Sequence, residues 1–271
     1  MNKKLVAVIA GTGNLPVEAC KKLKQENCPF FVISLFPENN GSDLLDVIEN
    51  KNELIKQNVY KATEILNLLK TKKTKKVLLI GKVEKSHLLK KIKLDWLTIK
   101  LLTSLLSKGD KPVMEKILSI LEENGIEAMR QNEILDSLFV PPGVLTGKIT
   151  NVLEQDIRLG LDTAKHLSKC DIGQTVVIKD GMILAVEAIE GTDKCILRGL
   201  ELGKKEIVIC KAARSDQNKK YDLPTLGPDT LKNIKKEDVA AIAWQSNQTF
   251  IAEKEKFISL AKDLEITLIS V

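Results

Sequence analysis

Short apolar runs alternate with stretches of helical periodicity along the chain. Leu5 to Ala10 is continuously apolar, as expected of a parallel strand buried on both faces. Leu15 to Gln25 then repeats apolar residues at helical spacing, and Phe30 to Leu35 predicts the next strand. Lys61 to Lys70 reads as a helix, and Val77 to Ile80 as a short buried strand closed by Gly81. Pro112 to Glu123 predicts a helix with proline in its first turn and Asn124-Gly125 as its stop. This β-α-β-α order predicts a Rossmann-like parallel sheet covered by helices on both faces.

Leu138 to Gly147, with Pro141-Pro142-Gly143, reads as the joint between two domains. Beyond it the pattern predicts a helix from Glu154 to about Ser168, then strands Thr175 to Lys179 and Met182 to Ala188 around the turn Asp180-Gly181. A helix from Asp193 to Leu202 and a strand from Glu206 to Cys210 follow. After a polar stretch come strands at Val239 to Trp244 and Thr249 to Ala252, a helix to about Leu264 and a last strand from Ile266 to Ser270. The expectation is an α/β protein: an N-terminal Rossmann-like parallel-sheet domain over 1–131 and a second, C-terminal α/β domain over 132–271.

The length of 271 residues suits two such domains, and 44% hydrophobic with 29% charged residues is a globular composition. Only 4% are aromatic, so the cores must be aliphatic. No apolar run approaches the roughly 18 residues of a membrane span, and the apolar start runs at once into Gly11-Thr12-Gly13, which reads as a first strand rather than an export signal. Five scattered cysteines without CxxC spacing predict neither a disulfide framework nor a zinc site, and fit a reducing cytoplasm.

Charge changes the picture further. The net +6 divides unevenly: 23 basic against 15 acidic residues, +8, up to Gln131, and 19 against 21, −2, beyond it. Lys70-Thr71-Lys72-Lys73-Thr74-Lys75-Lys76 and Lys90-Lys91-Ile92-Lys93 carry much of the excess. A solvated surface explains these runs in a chain where only 4 of the 42 basic residues are arginine. Nucleic acid is excluded as a partner because no aromatic residues interleave with the lysines. Peripheral contact with an anionic inner membrane remains compatible with them.

Three segments are candidates for chemistry. Gly11-Thr12-Gly13-Asn14-Leu15-Pro16 links the first strand to the first helix, where glycines let backbone N–H groups approach a phosphate. The dinucleotide fingerprint lacks its third glycine, and the second strand ends in Ser34-Leu35-Phe36-Pro37 without an acid. A tight turn accounts for the pattern as well as a phosphate contact does. Glu187 is a carboxylate in the otherwise apolar run Ile183 to Ile189, costly to bury unless paired or metal-bound. With Glu190 and Asp193 it offers three carboxylates that suit Mg²⁺ beside phosphate oxygens. The alternative makes Thr192 a helix N-cap, Asp193 a helix-dipole partner and Glu187 half of a salt bridge. The third segment, Lys211 to Gly227, is a polar loop leaving a strand, where α/β proteins place binding chemistry. The two histidines, His87 and His166, read as helix-surface residues.

Four of these stretches, in order and spacing, carry a family resemblance: Ile9 to Pro16, Cys170-Asp171-Ile172-Gly173-Gln174, Ala185 to Asp193, and Tyr221-Asp222-Leu223-Pro224-Thr225-Leu226-Gly227. The chain resembles the UDP-2,3-diacylglucosamine pyrophosphatases of the LpxI type over nearly its whole length. The resemblance implies a site between a Rossmann-like domain and a C-terminal catalytic domain. It also implies Mg²⁺-dependent hydrolysis of a lipid-linked nucleotide sugar to UMP and 2,3-diacylglucosamine 1-phosphate in lipid A synthesis, with the family's essential aspartate at Asp222. The sequence departs from the family pattern at Arg214-Ser215, Asn218, Lys220, Lys111 and Trp244-Gln245-Ser246-Asn247.

On that resemblance Asp222 binds Mg²⁺ or orients the attacking water, with Glu187 and Asp193 completing the metal shell. Gly11, Gly13, Asn14, Leu15, Pro16, Lys82, Gln174, Lys211, Gln217 and Thr225 are the expected substrate-binding residues. A diacylated UDP-glucosamine is the expected partner, and homo-oligomerisation stays open. So does a non-catalytic protein binding nucleotide sugars or lipid phosphates; an NAD-dependent oxidoreductase is a third, weaker reading.

Overall fold

A computed structural model describes residues 4–48, 50–83, 97–98, 110–214, 218–221 and 223–271. His87, the Lys90–Lys93 run, Gln217 and Asp222 lie outside the described residues. The chain divides into two compact units. One comprises Met1–Leu135 with Lys219–Tyr221, the other Asp136–Asn218 with Asp222–Val271.

The N-terminal unit holds a five-stranded parallel sheet of β1 (Val6–Ala10), β2 (Phe30–Ser34), β3 (Leu54–Lys56), β4 (Lys76–Ile80) and β5 (Glu127–Ala128). Their order is β3-β2-β1-β4-β5. The helices among the described residues are α1 (Leu15–Gln25), α2 (Pro37–Val47), α3 (Ala62–Thr71) and α4 (Asp110–Glu123). Ala7, Phe31, Ile33, Val77 and Leu79 share one core cluster with Leu69 of α3 and Leu121 of α4. Val6, Val8 and Ala10, on the opposite face of β1, are buried as well, which is why that strand is apolar throughout. The order of the strands reverses between β1 and β4, so the loops leaving those two carboxyl ends flank the place where open α/β sheets bind ligands.

The C-terminal unit is built on a mixed sheet. In chain order its elements are β6 (Gly143–Thr146), α5 (Asn151–Lys169), β7 (Thr175–Lys179), β8 (Met182–Val186), α6 (Thr192–Gly203) and β9 (Ile207–Lys211). There follow β10 (Thr225–Leu226), α7 (Pro228–Leu231), β11 (Val239–Trp244), β12 (Phe250–Ile251), α8 (Lys254–Asp263) and β13 (Thr267–Ser270). The sheet order is β6-β13-β11-β9-β7-β8, with β10 and β12 pairing separately. β9, β11 and β13 are parallel; β6 and β7 run against their neighbours, and β8 against β7.

Strand alternation sorts this core into two layers. Val176, Ile178, Val208, Cys210, Ala241 and Ala243 meet Ile157, Leu161 and Ala164 of α5. Val177, Ile207, Ile209, Ile242 and Trp244 face the other way, with Cys195 and Ile196 of α6 and Phe257 of α8. The small residues under α5 let it lie close: a Cβ on Gly160 would come 2.5 Å from Cys210 Sγ.

The segment read as the joint between the domains, Leu138 to Gly147, also contributes β6, paired antiparallel to β13. As the edge strand of the sheet it tolerates the two prolines before it. None of the five cysteines, all of them described, is in a disulfide.

Asp156 of α5, 3% exposed, accepts hydrogen bonds from the N–H groups of Asp180 (2.9 Å) and Gly181 (2.7 Å). Those two residues have φ values of +49° and +75°, the conformation a tight hairpin turn demands. One carboxylate thereby fastens the β7–β8 hairpin to the helix beneath it. Asp156→Ala should lower stability by about 2–3 kcal/mol, since charged hydrogen bonds are lost and the two N–H groups lose their acceptor. Urea unfolding checks this; a wild-type midpoint would contradict it.

Candidate functional site

Two clusters of the expected residues form, one in each unit. In the N-terminal unit, Gly11-Thr12-Gly13 leaves β1 beside Gly81-Lys82 leaving β4. Thr12 N–H donates to Lys82 O at 2.8 Å and Lys82 N–H to Thr12 O at 2.9 Å, and Thr12 Oγ1 also donates to Lys82 O at 3.1 Å. A Cβ on Gly11 would lie 2.6 Å from that same carbonyl oxygen. Position 11 is therefore glycine because two backbones cross there. Gly13 differs: its φ is +92° and open space surrounds the missing Cβ. Asn14 is the N-cap of α1 but makes no side-chain cap hydrogen bond, and Leu15 and Pro16 open the helix. The tight-turn reading thus explains Gly11, while Gly13 and the helix start keep the geometry that suits a phosphate.

In the C-terminal unit, the second cluster lies where β8 and β9 end and β7 begins. Glu187 follows β8 directly, and its N–H donates to Thr175 O at 2.8 Å; Thr175 pairs in register with Lys211, the last residue of β9. Strand parity puts all three side chains on the layer that α6 covers. Lys211 Nζ donates to Thr192 Oγ1 at 2.8 Å and to Thr175 Oγ1 at 3.3 Å. Thr192 Oγ1 in turn donates to Glu187 Oε1 at 3.0 Å, and Gln174 N–H to Glu187 Oε2 at 3.2 Å.

Lys211 is only 5% exposed, so its charge requires these partners. Burial alone would raise the pKa of Glu187. The Lys211 ammonium, the Thr175 and Thr192 hydroxyls and the Gln174 amide outweigh it and hold the carboxyl below its ordinary value.

Of the two readings left open for this segment, the salt bridge of Glu187 is met only in part: the Lys211 ammonium acts on the carboxylate by charge, with Thr192 Oγ1 standing between them and bonded to each. Thr192 is not the cap: Gly191, at φ +84°, occupies the N-cap of α6, and the hydroxyl is turned to Glu187 instead. Asp193 is exposed in the first turn of α6, where it suits the helix dipole. It lines an open groove of about 510 Å³ with Ile196, Leu197, Asp229 and Thr230, whose lining includes neither Glu187 nor Lys211. Among the described residues no three His, Cys, Asp or Glu side chains gather to hold a metal ion.

The run Cys170 to Gln174 has a physical explanation in this unit. A Cβ on Gly173 would fall 2.1 Å from Glu187 O, so only glycine passes there. Asp171, at φ +57°, pairs with the buried Arg214, and Gln174 O accepts from Ala212 N–H at 3.0 Å. Arg214 therefore works as an anchor for this turn. Gln245 closes the same edge: Ala213 N–H donates to its Oε1 at 3.2 Å, and its own N–H to Lys211 O at 3.1 Å. Thr225 begins β10, with Oγ1 donating to Leu223 O at 3.4 Å. His166 lies exposed on α5, its Nδ1 2.7 Å from Asp162 O.

Thr175 was missed as a member of the cluster. Its signal was its place opposite Lys211 at the start of an apolar strand.

The Glu187 carboxyl, depressed in the folded chain, adds stability that is present above its unfolded pKa and fades as pH falls through its lower folded one. Lys211→Met should raise the pKa of Glu187, because burial is then opposed by the hydrogen bonds alone, and acid unfolding should begin at higher pH. Stability measured against pH checks this; superimposable acid limbs for the two proteins would refute it.

Comparison with known proteins agrees with this division of residues. The LpxI N-terminal domain model matches residues 5–138 and the LpxI C-terminal domain model residues 141–269. A relative from Caulobacter vibrioides, named UDP-2,3-diacylglucosamine pyrophosphatase LpxI, is 32% identical over 186 residues, 64% of this chain. The match spans 66% of that protein's length. With both domain models matched in order along nearly its whole length, the chain belongs to the LpxI family.

Proposed function

We propose that the protein is an enzyme that hydrolyses the pyrophosphate of UDP-2,3-diacylglucosamine to UMP and 2,3-diacylglucosamine 1-phosphate, in lipid A synthesis. Family membership over both domains carries this reading. The paired Lys211–Thr192–Glu187 cluster supports it, since such a substrate brings negative charge to the site.

A pyrophosphate diester repels an attacking oxygen, so catalysis must place cations on its oxygens and orient a water. Water adds its oxygen to one phosphorus, and the bridging oxygen leaves with the other. In this reading Asp222 orients that water. Lys211 and Lys82 offset phosphate charge, and the Gly13 turn with the start of α1 receives a phosphate group. Gln174 and Gln217 lie in the segments that would bind substrate, as does Thr225.

Asp222, Asp193 and Glu187 offer hard carboxylate oxygens. That donor set fits Mg²⁺, which takes few protein ligands and completes its shell with water and substrate phosphates. When bound, the ion would neutralise charge building on the pyrophosphate. Glu187 already balances Lys211, whereas Asp193 is exposed.

The aliphatic composition suits two acyl chains. The lysine excess of the N-terminal half suits an anionic membrane, which the chain would meet peripherally: no helix among the described residues is long and apolar enough to cross one.

Asp222→Ala should reduce UMP release by at least about a thousandfold while thermal unfolding stays cooperative. Near-normal hydrolysis in that variant would remove the assignment. Chelation by EDTA should stop turnover and added Mg²⁺ restore it; full activity in EDTA would remove the metal. Binding of the diacylated UDP-sugar with no UMP released under any condition would favour a non-catalytic binding protein.

A further inference from the structure

Three strands of the C-terminal sheet meet in one row at Lys211. Thr175 of β7 pairs with Lys211 of β9, and Lys211 with Trp244 of β11. Residues in register on neighbouring strands stand about 4.8 Å apart and share a face, so the lysine lies between the threonine and the indole. Val177, Ile209 and Ile242, two residues back along the same strands, share a core cluster with Trp244 and with Cys195 and Ile196 of α6.

Two N–H donors of this row are unspent among the described residues. Trp244 is 0% exposed, and its Nε1 meets no acceptor. An ammonium carries three donors; Lys211 directs one to Thr192 and one to Thr175. A buried indole N–H ordinarily finds a partner, and leaving it without one is costly. Were bulk alone required at position 244, phenylalanine would serve, as it does at Phe257 in the same cluster.

The surroundings select the chemistry of the acceptor. Lys211 and Trp244 end the parallel strands β9 and β11, and open α/β sheets bind ligands at the carboxyl ends of their parallel strands. Thr192, which takes one Lys211 proton, is the first residue of α6, so the positive end of that helix dipole adds to the ammonium. The Glu187 carboxylate follows β8, on the side of β9 away from β11, and its oxygens are engaged by Thr192 and Gln174. Spare donors beside a positive charge suit an anionic oxygen.

We propose that Trp244 is a substrate-binding residue: its indole N–H and the third proton of Lys211 donate to oxygens of a phosphate group of the substrate. This rests on the pyrophosphate-bearing substrate proposed above.

The test uses the full chain with inorganic pyrophosphate and with the diacylated UDP-sugar. The sequence has two tryptophans, so Trp96→Phe, outside the described residues, leaves the indole N–H resonance of Trp244 alone in the spectrum of the isotope-labelled protein. Pyrophosphate should move that resonance saturably. Trp244→Phe removes the N–H and keeps an aromatic ring. It should raise KM for the UDP-sugar about tenfold or more with kcat within about threefold of wild type, as loss of a bond made equally to substrate and transition state does. Ile242→Val, a truncation in the same layer, should lower stability and leave KM unchanged. A resonance that pyrophosphate does not move would overturn the proposal, and this arm decides if Trp244→Phe does not fold. So would a wild-type KM in folded Trp244→Phe, or an equal rise in KM with Ile242→Val, which marks a packing effect. A wild-type chain that releases no UMP, but whose Trp244 resonance answers to pyrophosphate, would overturn the proposed reaction and leave the anion contact standing.

Discussion

A lysine ammonium that is 95% removed from solvent cannot stand alone, and the edge of the C-terminal sheet is arranged around that constraint. Lys211 ends β9 beneath the start of α6, and every neighbour within reach contributes an oxygen: Thr192 and Thr175 directly, Glu187 through its charge. Placing Glu187 there requires the chain to pass close to the turn after α5, which in turn requires glycine at position 173. That turn is secured by Asp171 on Arg214, three residues beyond the end of β9. The buried charge, the glycine and the Asp171–Arg214 ion pair form one dependent set.

The N-terminal unit solves a different problem with a similar economy of atoms. Its two central strands release their chains side by side, and the Thr12–Lys82 bridge holds the chains together past the end of the sheet. Gly11 is small because of that crossing, while Gly13 is small to adopt a positive φ. Two glycines two residues apart therefore serve separate purposes, one of packing and one of conformation.

Much of the architecture was legible from periodicity because its central strands are buried on both faces and its helices on one. Val176 through Ile178 and Ile207 through Cys210 alternate between two core layers, and such runs are visible as uninterrupted aliphatic sequence. What escaped notice was short or compositionally masked. β3 and β5 have three and two residues, too few to establish a period, and α2 opens Pro37-Glu38-Asn39-Asn40-Gly41-Ser42, a series that favours turns. Glu187 stood out because a lone carboxylate among aliphatic residues needs an explanation. Thr192, beside a glycine and an acid, has the signature of a cap, and the sequence leaves it open between that and a place beside a metal; only the tertiary position of Glu187 turns its hydroxyl away from the helix start. The membership of residues 219–221 in the N-terminal unit left no mark in composition at all.

The hydroxyl of Thr192 has one proton, and that proton is directed at Glu187. Its lone pairs must therefore face Lys211, which gives the three groups a fixed polarity from ammonium to carboxylate. The arrangement has a sense of direction, like a one-way link. That direction follows from what the two ends can offer, since an ammonium has no lone pair to accept the hydroxyl proton and a carboxylate has no proton to donate, so the rotational state of a single small side chain is set by both its neighbours at once.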